Sequence, residues 1–178
     1  MTHRGHRWAR VGAFAALAML ATACSSDSES DSASDTVTVT GSDYRFDLPK
    51  SVKAGTTLTL KNSSSKELHE MVVLKLPDTE KRSADELVKL PEAQFDAISP
   101  GPPALVRFRP PGDAPEIPAL GDGKLTEKGR YLVICAIPVG TDPAAYLKAA
   151  EAARGGPPQG FNGAPHFTMG MYGEITVK

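Results

Sequence analysis

The chain has few residues able to cross-link it or ligate a metal. Its 178 residues include two cysteines, Cys24 and Cys135, and four histidines, His3, His6, His69 and His166. Aromatic residues are also sparse, at 6%, whereas 16 glycines and 15 prolines favour a loop-rich β domain over a helical bundle. No internal repeat is visible. An excess of basic side chains is missing too, which argues against nucleic acid as a partner. The longest apolar run, Val11 to Ala23, is too short to span a bilayer comfortably as a permanent helix.

That run follows Arg4, Arg7 and Arg10, so residues 1–23 read as a secretory signal rather than as part of the fold. It ends Leu20-Ala21-Thr22-Ala23-Cys24, small residues directly before a cysteine. This resembles a bacterial lipoprotein signal, which implies that Cys24 becomes the lipidated first residue. An ordinary signal peptide with a chance cysteine is the other reading. From Ser25 to Asp35 the chain contains only Ser, Asp, Glu and Ala, a disordered linker that can hold a domain off a membrane surface. The expected organisation is therefore a lipoprotein signal peptide over 1–23, a lipidated cysteine and linker over 24–35, and one domain over 36–178. Its expected place is the extracytoplasmic face of the cell membrane, held there by the N-terminal lipid. Loss of the three signal arginines takes Lys plus Arg from 20 to 17 against 21 acidic residues, leaving the mature chain mildly acidic.

The domain reads as short strands. Val and Thr alternate over Thr36 to Thr40, an extended piece follows over Asp43 to Leu48, and Thr56 to Lys61 alternates again. Leu68 to Leu76 is apolar on both faces in its middle, as a central strand is. Ser83-Ala84-Asp85-Glu86 fits a capping box and predicts a helix to about Leu90, with further helical turns between Pro91 and Ile98. Pro100 to Pro118 reads as a covering loop with one extended piece at Ala104 to Phe108. Leu125 to Lys128 leads into a strongly apolar strand, Arg130 to Ile137. Asp142-Pro143 starts a helix that Gly155-Gly156 stops. The last strand, Met171 to Lys178, alternates with period two. The sum is an all-β sandwich of six to eight strands with short helical insertions.

Once the signal is removed, the remaining chemistry is concentrated. Only His69, His166 and the thiol of Cys135 remain, and His166 stands on a Pro/Gly-bounded turn with Met169 and Met171. Taken singly, Cys135 reads as a buried small hydrophobe, Met171 and Met71 as core, His166 as a loop residue and His69 as a strand end. Jointly, two imidazoles, a thiolate and a thioether make the ligand set that suits a type 1 copper centre. A Cys-His nucleophilic pair, or a His2Cys zinc site with Glu70 as general base, can be written from the same residues, but neither has a local signature.

The order of these groups resembles a cupredoxin. A histidine opens a central strand at Leu68-His69-Glu70-Met71-Val72-Val73, and a Gly-Arg-Tyr-Leu-Val-Ile-Cys strand delivers Cys135 at its end. A His-x4-Met step, His166 to Met171, then opens the last strand. The resemblance implies a Greek-key β-sandwich binding one type 1-like copper ion, with His69, Cys135 and His166 equatorial and Met171 axial. Met169 is the competing axial candidate. It further implies a monomer that is not an enzyme and that passes single electrons to a redox partner protein. Copper sequestration or delivery, and a metal-free binding module, are the alternatives. Two features depart from the family pattern: thirty residues, 136 to 165, separate Cys135 from His166, and Glu70 stands where Asn is common after the first histidine.

Overall fold

The computed structural model of the protein describes residues 35–154 and 156–178. The expected signal peptide over 1–23, Cys24 and the linker as far as residue 34 lie outside the described residues.

Among the described residues ten strands form two sheets. They are β1 (Thr36–Ser42), β2 (Arg45–Asp47), β3 (Ser51–Val52), β4 (Thr56–Asn62), β5 (His69–Lys75), β6 (Leu105–Arg109), β7 (Ile117–Leu120), β8 (Lys124–Leu125), β9 (Gly129–Ile134) and β10 (Tyr172–Val177). The smaller sheet has the order β2-β1-β4-β8, and the larger has β3-β10-β9-β5-β6-β7. Within the larger sheet β5, β6 and β7 pair antiparallel in sequence, and β9 returns to lie against the free side of β5. That spatial order is a Greek key.

The alternation of side chains explains how the sheets pack. Val39 of β1 and Leu58 and Leu60 of β4 meet Met71 and Val73 of β5, Tyr131 and Val133 of β9, and Ile175 of β10 in one core between the sheets. Each such aliphatic side chain contributes about 2 kcal/mol on leaving water. The intervening residues of β9, Leu132 and Ile134, face outward and form a second cluster with Leu87, Val88 and Ile98. Those last residues belong to, or follow, the helices α1 (Ala84–Leu87) and α2 (Glu92–Asp96). Cover on both faces is why β9 is apolar without a break from Tyr131 to Ile134. The capping box forms as expected, with Glu86 accepting from the Ser83 backbone N–H at 2.8 Å.

Three differences from the sequence reading have physical causes. The segment expected to be wholly irregular after residue 108 contains β7, and Pro118 is compatible with a strand there because β7 is an edge of its sheet. The turn expected over Pro49 to Gly55 contains β3, two residues held against the end of β10. The strand expected to run to Ile137 ends at Ile134, because beyond it the chain bonds to a helical turn instead of a strand. A longer helix, α3 (Pro143–Ala153), lies in the insertion after Cys135, and its N-cap Asp142 accepts from the Ala145 N–H at 2.8 Å.

Candidate metal centre

His69 opens β5 on the inward face, opposite Arg109 in the ladder with β6. Cys135 follows β9 directly, and His166 begins a single 3-10 turn, His166–Met169. Gly170 closes that turn at φ 115°, a left-handed conformation suited to glycine. The turn is fixed to the end of β9 by a short run of backbone bonds. The Val139 N–H donates to Ala164 O at 3.0 Å, His166 N–H to Ile137 O at 2.9 Å and Phe167 N–H to Cys135 O at 2.8 Å. The Cys135 N–H in turn donates to Met171 O at 3.1 Å. The two ends of the thirty-residue insertion are thus zipped together, and the loop's length does not separate Cys135 from His166.

One potential ligand atom from each of His69, Cys135 and His166 lies within 4.8 Å of the others. Sγ of Cys135 is 3.4 Å from Nδ1 of His166, and the imidazoles of His69 and His166 meet edge to face with centroids 5.3 Å apart. All three side chains are completely buried. Both ring nitrogens of His69 are buried without a hydrogen-bond partner among the described residues, and Nε2 of His166 faces only the Glu67 carboxylate, 3.5 Å away. Unpaired buried imidazole nitrogens are costly unless something else engages them. A soft sulfur with two imidazoles is a donor set suited to copper.

Met171 is fully buried, whereas Met169 is 54% exposed. A Cβ placed on Gly41 would lie 3.0 Å from Cε of Met171 and 3.3 Å from Cδ2 of His69. The thioether side chain and the imidazole therefore meet over Gly41, where any larger residue would crowd both. Met71 is core, as its position on β5 implies.

The electrostatics favour neutral imidazoles. Burial, reinforced by His166, pushes His69 down to about 4, with Asp43 opposing. Burial also lowers His166, against the pull of Glu67 and Asp43. Burial raises the Cys135 thiol far above its ordinary value, with the Glu70 carboxylate adding to the effect. Without a cation the sulfur is held as a thiol, and a metal would have to displace its proton.

Glu70, the residue after His69, faces the other side of the sheet. Its Oε1 accepts from the Ala136 N–H at 2.9 Å, while its own backbone N–H donates to Sγ of Cys135 at 3.4 Å. Burial, partly offset by that Ala136 bond, pushes its carboxyl up to about 7.

Three neighbours were not marked by the sequence. Glu67 places Oε2 3.5 Å from Nε2 of His166, and Asp43 places Oδ1 3.8 Å from Nε2 of His69. Tyr44 lies edge-on to His166 at 5.0 Å. Its φ of 60° is unusual for a non-glycine residue. Ser42 pairs with Arg45 across this hairpin, so Asp43 and Tyr44 form a two-residue loop. That tight hairpin was the available signal, though not for what its side chains would touch.

No family model and no curated protein matches the sequence. Among solved structures, the chain is similar to a dithionite-reduced auracyanin from Roseiflexus castenholzii, with 21% identity, 82% of this chain and 98% of that chain covered, and a TM-score of 0.43. It is also similar to auracyanin A, a blue copper protein from Chloroflexus aurantiacus, at 16% identity over 80% of this chain and 98% of that one, TM-score 0.41. Reduced rusticyanin matches at 15% identity over 81% and 80%, TM-score 0.35. The Greek-key strand order and the His69–Cys135–His166 cluster stand independently of those similarities. Together they make this chain a Greek-key β-sandwich with a cluster suited to one copper ion.

Proposed function

We propose that the protein is a monomeric single-electron carrier, lipid-anchored through Cys24 at the extracytoplasmic face of the membrane. His69, Cys135, His166 and Met171 would hold the copper ion. When bound, copper supplies a one-electron couple. The chain's own residues supply the rest: a thiolate and a thioether that favour the reduced ion, imidazoles that accept both states, and a dry pocket that limits solvent rearrangement.

The carrying observation is that the four side chains proposed as ligands are completely buried. A closed site suits an ion that stays while electrons pass, and a redox partner protein is the implied source or sink. Copper sequestration or delivery is the second reading and needs an ion that can be handed over, for which an exposed ligand would be expected. Glu70 as the base of a zinc hydrolase is disfavoured, because its carboxylate lies on the face of the sheet opposite His69.

Voltammetry of the copper-loaded protein, alongside copper retention against a competing chelator, separates the two readings. Electron transfer predicts a reversible one-electron wave and slow copper loss. Rapid copper surrender without a reversible wave would favour delivery.

A further inference from the structure

The cluster leaves unexplained the two segments that set this chain apart from a minimal sandwich: the insertion 139–165 and the proline-rich stretch after residue 100. They face each other across a cavity of about 1130 Å³ on the outer face of the larger sheet. One wall is α3 and the loop after it, bearing Tyr146 and Phe161. Phe95 of α2 lines another side, and the sheet supplies the outward row of β5 that includes Glu70, beside Phe108 of β6. Tyr146 packs against Phe108 with centroids 6.1 Å apart and against Phe161 at 4.9 Å.

Two polar groups at this largely apolar cavity keep hydrogen-bonding capacity that no described residue takes up. Glu70 is 4% exposed, yet beyond the Oε1 bond to Ala136 its Oε2 has no hydrogen bond among the described residues. Tyr146 is equally buried, and its hydroxyl has none either. An apolar pocket with a few convergent polar groups is the usual form of a small-molecule site. Both atoms open onto the cavity, so a ligand group can take the place of water on them.

We propose that this cavity is a second binding site, for a neutral, flat, largely apolar molecule bearing one hydroxyl group, of the phenol class. The aromatic walls take its ring, Glu70 accepts from its hydroxyl, and the Tyr146 hydroxyl completes the hydrogen bonding. A carboxylate ligand would give up hydration in a largely apolar site and has no proton to offer Oε2, and an unsubstituted hydrocarbon would leave both polar groups without a ligand partner. The site also touches the candidate metal centre, because the Glu70 N–H points at Sγ of Cys135 and the Glu70 side chain is tied to the next residue, Ala136. Occupancy would therefore register at the sulfur, although binding itself needs no metal and stands or falls apart from the copper reading.

The test is titration of the isotopically labelled full chain, without copper, with 2-naphthol, naphthalene and 2-naphthoate, following backbone amide resonances. Saturable shifts at Glu70, Ala136, Tyr146 and Phe161 are expected with 2-naphthol, and affinity at least about tenfold weaker for the other two. Filling the cavity with Ala150→Trp should abolish the shifts, and Glu70→Leu should bring 2-naphthol down to the level of naphthalene. The comparison of the three probes requires no variant, so it decides the matter even if a substitution prevents folding. Equal affinity for 2-naphthol and naphthalene, shifts confined to other residues, or no saturation up to about 1 mM would overturn the proposal.

Discussion

His166 turns Nδ1 toward Sγ of Cys135, 3.4 Å away, and Nε2 toward the Glu67 carboxylate, 3.5 Å away. The ring thus stands between a sulfur and an acid, and Glu67 is placed to favour the tautomer that leaves Nδ1 free as a ligand. A negative charge behind a ligating imidazole stabilises the more oxidised ion. Glu67→Gln should therefore raise the reduction potential of the copper-loaded protein, by on the order of 50 mV, about 1 kcal/mol for one partly screened charge. The measurement is voltammetry of both proteins at one ionic strength, and an unchanged or lower potential would remove Glu67 from this role.

The metal-free protein should carry two opposing pH dependences. His69 binds a proton near 6.5 when unfolded and only near 4 when folded. Between those values the unfolded chain binds more protons, so this contribution to stability is full above about 6.5 and is lost as pH falls towards 4. It amounts to about 3 kcal/mol, and the lowered His166 acts in the same direction. Glu70 has the reverse sign. Its carboxyl is raised from 4.5 to about 7, so its contribution is full below about 4.5 and is lost as pH rises to 7, again by about 3 kcal/mol. Denaturant titrations from pH 4 to 8 should show a shallow profile for the native sequence. Glu70→Gln should convert it to a clear rise with pH, and a profile unchanged by that substitution would contradict the assignment.

Much of this site was legible because a strand's alternation fixes which residues share a face. His69 and Met71 fall inward and Glu70 outward on the same period that marks β5. The order His69, Cys135, His166, Met171 carried the resemblance that groups them, and the fold brings His69, Cys135 and His166 together. The flanking groups were not legible, since Asp43, Tyr44 and Glu67 lie in or beside turns whose side-chain directions follow only from tertiary closure. The cavity was hidden for a related reason: its walls come from segments around residues 95, 108 and 150 that have no local pattern in common. Pro118 concealed β7, because proline excludes a central strand but permits an edge.

Tyr44 illustrates what such closure can impose. Its left-handed backbone costs roughly 1–2 kcal/mol relative to glycine, and its edge contact with His166 returns about 0.5–1.5 kcal/mol. Tyr44→Gly should therefore change stability by no more than about 1 kcal/mol while uncovering His166. Loss of copper to a chelator should become faster in this variant. An exchange rate equal to that of the native sequence would show that Tyr44 does not cover the site.

The absorption spectrum of the full chain on addition of one equivalent of Cu(II), beside Cys135→Ser, tests the central claim most directly. A buried thiolate between two imidazoles predicts an intense visible sulfur-to-copper band at one ion per chain, absent from the variant. A colourless protein that retains no copper, or a band that persists without the Cys135 sulfur, would contradict it.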